Sequence, residues 1–190
     1  MSSERGPIVL AIARAALSSA LGAPQHADER AAWLREPGAT FVTLTQAGRL
    51  RGCIGSLQAW RPLLDDLKHN AVSAGLRDPR FHPMTTGELS CTRVEASLLS
   101  AAEPLHFDSE ADALAQLTPG IDGVILEYRS FRSTYLPQVW EHFPHPERFL
   151  ASLKQKAGLP ADFWSREVSL SRYTVEKFRE EEAAAGAQHG

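Results

Sequence analysis

The sequence predicts an α+β fold built on a mainly antiparallel sheet. Three observations carry this. Segments with strand alternation come in neighbouring pairs joined by short turns, as hairpins require. The helical segments do not alternate strictly with the strands, as a βαβ layout would demand. The strands also read as half-buried alternations, not as the continuous apolar runs of a doubly wound parallel sheet.

The elements follow in order. GPIVLAIARAALSSAL, residues 6–21, places Ile8, Ile12, Ala15, Leu17 and Leu21 at helical spacing, with Pro7 suited to a first turn and Gly22 to the end. DERAAWLR, about 28–35, reads as a shorter helix stopped by Pro37–Gly38. ATFVTLT then changes the period and returns through QAGR as LRGCIGSL, a hairpin. PLLDDLKHNAVSAGLR, 62–77, puts Leu63, Leu64, Leu67, Ala71 and Ala74 on one face of the clearest amphipathic helix. On its first half, Asp65, Asp66, Lys68 and His69 read as mostly the wet face. DPRFHP, 78–83, is a loop by its two prolines.

CTRVEASLL, 91–99, alternates Val94, Ala96 and Leu98 with Arg93, Glu95 and Ser97, a half-buried strand. A short helix over 108–117 is capped by Asp108 or Ser109. GVILEY and FRSTYL are two more strands, and PQVWEHF and HPERFLASLKQKAGL are helical, the latter ended by Gly158. REVSLSRYTVEKF, 166–178, reads as one long final strand, and the polar tail, 181–190, as a fraying end.

Composition bounds the function. The 190 residues suffice for one domain or two closely joined lobes, and 43% apolar with 23% charged residues is ordinary for a globular chain. A net charge of −3 with no basic run argues against nucleic acid, and no apolar stretch approaches a membrane span. The start, MSSERGPIVLAIARAAL, does not read as a signal peptide. Two cysteines, Cys53 and Cys91, without a CxxC point to a reducing cytoplasm with both thiols free, and away from structural zinc. HFPH, His142 to His145, lacks metal-ligand spacing, so no metal is expected; no GxGxxG, GxxxxGK[ST] or GxSxG occurs.

The segment RGCIG, 51–55, sets Cys53 between two glycines. Glycine admits close approach of a backbone or ligand, and successive amides in a turn can cradle an anion. Arg51 lies two residues before Cys53, so a regular strand points both the same way, and a guanidinium beside a thiol raises its thiolate fraction. On this reading Cys53 is a nucleophile while Arg51, Gly52 and Gly55 hold a substrate. The other reading makes Cys53 a small buried apolar residue in a tight turn. Spacing alone leaves both open. Asp78, Arg80 and His82 share one loop, where Arg80 adds a second cation and Asp78 or His82 moves protons; alternatively Asp78 and Arg80 only pair and Phe81 anchors the core. Glu95 would orient Arg51 or Arg93 across the sheet, or is solvated.

The order of motifs resembles the AMMECR-type domain family, whose bacterial members are component A of the AmmeMemoRadiSam system. The resemblance rests on LRGCIG at 50–55, DPRF at 78–81 with Pro83, VEASLLS at 94–100, LPQVW at 136–140 and KAGL at 156–159. It spans about residues 5–180 and implies a barrel-like antiparallel sheet flanked by helices in two closely joined lobes, with RGCIG lining a groove between them. It also implies a cytoplasmic or nuclear protein, no known cofactor, and association with a MEMO-like protein and a radical-SAM protein. Two positions depart from the family pattern. Leu153 stands where many members carry a cysteine, and Gly120-Ile121-Asp122-Gly123 where they often read GxHG. The expectation is an enzyme, or enzyme subunit, acting on a small anionic metabolite. The alternative is a binding or scaffold module with Cys53 structural, in which Trp140, Phe143, Phe149 and Trp164 serve the core or an interface.

Overall fold

Pro37–Gln46 (β1) organises the first half of the chain. Val42 and Leu44 are fully buried on one side, while Thr43 and Thr45 stay half-buried on the other, the alternation a one-sided sheet requires. β1 turns into Arg49–Gly55 (β2) through Ala47 and Gly48, whose φ values of 47° and 73° give the two-residue hairpin that matches strand twist. Arg61–Pro62 (β3) pairs with the start of β1, and Thr92–Leu99 (β4) lies antiparallel along its other edge. The sheet order is β2-β1-β4 followed by Val175–Arg179 (β9), the last strand among the described residues.

Ser2–Ala20 (α1) and Leu63–Leu76 (α2) pack on the buried side of this sheet. Ile12 and Leu17 of α1 meet Leu67, Ala71 and Ala74 of α2 and the sheet's Val42, Leu44, Val94 and Ala96 in one core. Each large side chain buried there contributes on the order of 1.5–3 kcal/mol. Asp66 is the exception to the wet face expected on α2. It is 1% exposed and accepts hydrogen bonds from the Thr40 amide (2.8 Å), the Thr40 hydroxyl (2.8 Å), Ser56 (2.7 Å), Arg61 (2.9 Å) and Asn70 (3.0 Å). This network ties the first turn of α2 to β1 and to the exit of β2, and its donors offset the cost of burying the charge.

The structure, a computed structural model, describes residues 2–181; the tail read at 181–190 lies, from 182 onward, outside the described residues. The chain forms two compact units, one running to Leu99 and resuming at Glu176, the other Ser100–Val175. The second unit has its own antiparallel sheet, in the order Glu103–Pro104 (β5), Ser169–Tyr173 (β8), Gly123–Tyr128 (β6), Phe131–Tyr135 (β7), with Glu110–Ala115 (α3) and Pro146–Ala157 (α4). Its core takes Trp140 and Phe149, stacked at 3.7 Å between ring centroids, so these two aromatics serve packing.

The fold is thus α+β with antiparallel sheets flanked by helices, and among the described residues neither sheet closes into a barrel. Three local expectations give way. Residues 28–31 are not helical and only Ala32–Arg35 makes a 3₁₀ turn, because Asp28 bonds the Arg30 amide (3.0 Å) and guanidinium and holds the chain in a local turn. The helix expected from residue 6 starts at Ser2, which puts Pro7 inside it. The single strand over 166–178 is two strands in two different sheets. Thr174 breaks it by exchanging bonds with Ser100 at 2.9 Å each way.

Candidate functional site

The β1–β2 register sets the site. Thr43 faces Cys53 and Leu44 faces Gly52, but Thr45 already faces Leu50. Arg51 is therefore the extra residue of a β-bulge, and the simple alternation linking it to Cys53 is lost. Gly52 faces α2. A Cβ there would sit 2.0 Å from the Ala74 carbonyl oxygen, so the helix backbone lies where a side chain would be. Cys53 consequently projects to the opposite side, where its Sγ lies 3.2 Å from the Thr43 hydroxyl and the residue is half-buried. Gly55 faces Phe41, whose ring is 2.2 Å from a hypothetical Cβ. Both glycines admit protein atoms rather than leaving an open approach to the thiol.

The DPRF loop docks on the edge of β2. The Cys53 amide donates to Asp78 Oδ2 (2.9 Å), and Arg80 Nη2 donates to the Cys53 carbonyl (3.3 Å). Asp78 and Arg80 are themselves joined through Nε (2.9 Å) and Nη2 (2.7 Å), and the Arg80 amide also reaches Asp78 (3.0 Å). The pair thus behaves as a short piece of neighbouring strand, satisfying both backbone groups that an edge position leaves unpaired. The Asp78 side chain is 2% exposed and accepts four donors. The Arg80 guanidinium beside it, aided by the two amides, holds its carboxyl far below the usual carboxylate range. All four of its bonds run to the Cys53 amide and to Arg80, so the Asp78 carboxylate holds the loop against the strand.

Arg51 turns away from the thiol. Its guanidinium binds Glu88 (2.8 and 3.3 Å), donates to the His82 carbonyl (3.0 Å) and lies 5.9 Å from the Phe81 ring centroid; Arg80 lies 5.5 Å from the same ring. Gln46, which alternates to the side opposite Thr43, binds the same Glu88 oxygen (3.1 Å). Arg51 first, then the Thr85 amide, pull the Glu88 carboxyl down from 4.5 to about 2. His82 contributes its carbonyl here while its side chain is exposed. Glu88 was not among the expected site residues, although the [ST]-x-x-E spacing of Thr85 and Glu88, a helix-start signature, is legible in the sequence.

Glu95 continues the row that begins at Cys53. It faces Thr43 from the other neighbouring strand, so Cys53, Thr43 and Glu95 line one side of β2, β1 and β4. Its carboxylate pairs with Lys177 (3.3 Å) and with Arg179 of β9, not with Arg51 or Arg93. Among the described residues Arg93, on the same side two residues earlier, reaches only the Ser90 and Thr92 carbonyls, both at 3.4 Å. Among the described residues no group of three or more His, Cys, Asp and Glu is placed to hold a metal ion, and no helix is long and apolar enough to cross a membrane.

An antiparallel α+β chain with RGCIG on an edge strand and DPRF clamped to it defines a recognisable class. The chain belongs to the AMMECR1 family, whose model matches residues 10–178. It is 36% identical to a protein of Methanothermobacter thermautotrophicus, over 95% of this chain and 97% of that one. It is 40% identical to protein MJ0810 of Methanocaldococcus jannaschii, over 70% and 67% of the two chains. The crystal structure of the uncharacterised protein PH0010 from Pyrococcus horikoshii superposes with a TM-score of 0.77 at 31% identity, covering 94% of this chain and 92% of that one.

Proposed function

We propose that this chain is an enzyme, or an enzyme subunit, that handles a small anionic metabolite at the Cys53 thiol. One observation carries the reading. The Cys53 backbone is fixed on both sides by the Asp78–Arg80 pair, while its side chain stays half-buried beside a hydroxyl on the opposite side of the sheet from α2. The clamp fixes where the thiol points, and the thiol keeps partial exposure there. Cys53 is then the reacting or binding thiol, with Thr43 as its hydrogen-bond partner. Asp78, Gly52 and Gly55 are positioning residues, and Arg80, half-exposed and bonded to the Cys53 carbonyl, supplies a cation. Glu95, fixed by Lys177 and Arg179, sets the charge at the far end of the row. A reducing cytoplasm keeps the thiol free, and a MEMO-like and a radical-SAM protein are the partners on this reading.

Alkylation of the native chain by iodoacetamide, resolved by peptide mass spectrometry, tests it. Cys53 should react in the folded state, within about tenfold of its rate in the unfolded chain, and small metabolite anions should protect it. Labelling only through global unfolding would remove the thiol from any chemistry.

A second reading has its own support. Leu57 (43% exposed) and Trp60 (81% exposed) stand out from the loop that follows β2. Exposed tryptophan is a common anchor of protein interfaces. On this reading the chain is a scaffold, and Trp60→Ala releases the MEMO-like partner while leaving Cys53 alkylation unchanged.

A further inference from the structure

We infer that a second site, a concavity on the Thr43–Glu95 side of the first unit's sheet, binds a small dianion through Arg93 and Arg179. The concavity holds about 610 Å³ and is lined by Thr45, Cys91, Arg93, Glu95, Arg179 and Glu180 together with the Ala47–Gly48 turn. That volume lies within the range of small-molecule sites, roughly 300–1,000 Å³. All of its residues belong to the first unit.

The charges of the lining are unequal once each is followed to its partner. Glu95 is paired with Lys177 (3.3 Å) as well as Arg179. Glu180 is paired with Arg14, which reaches it through Nε at 2.9 Å, and accepts the Val94 amide (2.9 Å). Arg93 has no carboxylate within ion-pair distance among the described residues and meets only two carbonyls at 3.4 Å. The lining itself carries two guanidiniums and two carboxylates, but Lys177 and Arg14, which stand outside it, share Glu95 and Glu180, so the guanidiniums of Arg93 and Arg179 keep donors for an anion between them. A guanidinium fork suits phosphate and carboxylate oxygens alike, so the ligand class is a phosphate monoester or a small dicarboxylate. A concave wall with an unneutralised cation also concentrates anions from solution. This site stands whether or not Cys53 reacts.

Cys91, exposed on the rim, is a built-in reporter. The test compares its alkylation in the native full chain by iodoacetate, an anion, and by iodoacetamide, which is neutral, at fixed pH and ionic strength. The ratio of the two rates cancels the thiol's own ionisation. The expected ratio is at least threefold above that of the unfolded chain. Millimolar inorganic phosphate or succinate should protect Cys91 saturably where chloride does not. Protection by phosphate alone assigns the phosphate monoester source, and by succinate alone the dicarboxylate source. Arg93→Gln should return the ratio to the unfolded value and weaken protection about tenfold; Arg93→Lys should keep most of both. The site is overturned by an unfolded-like ratio in the wild-type chain, by protection no better than chloride, or by an Arg93→Gln variant that folds and behaves as wild type. The Cys53 peptide, read in the same samples, reports on the thiol site separately.

Discussion

Two arginine-bearing regions of the first unit's sheet are built in opposite ways. At the DPRF corner each guanidinium has its own carboxylate, Arg51 with Glu88 and Arg80 with Asp78, and both lie over the Phe81 ring. Around the concavity beside the Ala47–Gly48 turn, Arg93, one residue before the VEASLLS segment, has no carboxylate partner among the described residues. The conspicuous arginines of the RGCIG and DPRF segments hold backbone in place. The inconspicuous one is left for something outside the chain. An arginine already forked onto a carboxylate offers a ligand few free donors, whereas an unpaired one offers its full charge.

The comparison breaks first if the corner is not rigid. Gly52→Ala forces a methyl to 2.0 Å from a helix carbonyl, which cannot rotate away, so α2 must shift off the strand. The expected cost is about 3 kcal/mol, seen as a lower denaturation midpoint in urea with little change in slope. A loss below about 0.5 kcal/mol would mean that α2 does not seat on β2 as described.

Asp78→Asn comes next. It keeps the shape but removes the charge, leaving Arg80 without its partner and the Cys53 amide with a weaker acceptor. About 2–3 kcal/mol should be lost. Hydrogen exchange at the Cys53 amide should speed up more than at its neighbours. Arg80→Ala should cost less, about 1–2 kcal/mol, because that side chain is 54% exposed and the stranded Asp78 carboxylate keeps the Cys53 and residue-80 amides as donors. Equal losses from the two variants would show that the clamp acts as a simple surface pair.

Much of this was legible in the sequence, and the exceptions share a cause. The β1–β2 hairpin, α2 and β4 follow from period and turn residues, which local physics decides. Arg51 did not fall beside Cys53 because one bulge residue shifts the alternation, and periodicity carries no mark of a bulge. Asp66 looked solvated because its first-turn position explains an acid there; its burial depends on Thr40 and Ser56, far along the chain. The strand over 166–178 splits at Thr174 because the two halves join different sheets, a tertiary decision that alternation cannot register. The sequence offers the Asp78–Arg80 pair as one of two alternatives for its loop. Its docking on the Cys53 backbone was not, since an edge strand is defined only once the sheet exists.

Acid should dismantle the corner from within. The Glu88 carboxyl lies near 2 instead of 4.5, and that of Asp78 lies well below 3.8. The folded state therefore holds fewer protons than the unfolded chain in this window, and stability falls as pH falls. Their contribution is complete above about pH 4.5 and is lost progressively toward pH 2. In denaturation series between pH 7 and 2.5, Asp78→Asn and Glu88→Gln should each flatten the decline relative to wild type. A wild-type profile unchanged by both substitutions would place the acid-sensitive groups elsewhere.

The smallest effect is the sharpest test, because it asks the two regions to differ under the same chemical change. Arg51→Gln removes a guanidinium that is 14% exposed, together with its bonds to Glu88 and the His82 carbonyl. It strands the Glu88 carboxylate and should cost about 1–2 kcal/mol. Arg93→Gln removes a guanidinium with two long bonds to carbonyls and, among the described residues, no carboxylate, so it strands no charge. Its stability should stay within about 0.5 kcal/mol of wild type. It should rise slightly in low salt, since one charge of an unbalanced cluster is gone, and that gain should vanish as salt screens the cluster. If Arg93→Gln instead costs as much as Arg51→Gln, Arg93 is a structural residue like its counterpart, and the concavity has no spare charge to offer an anion.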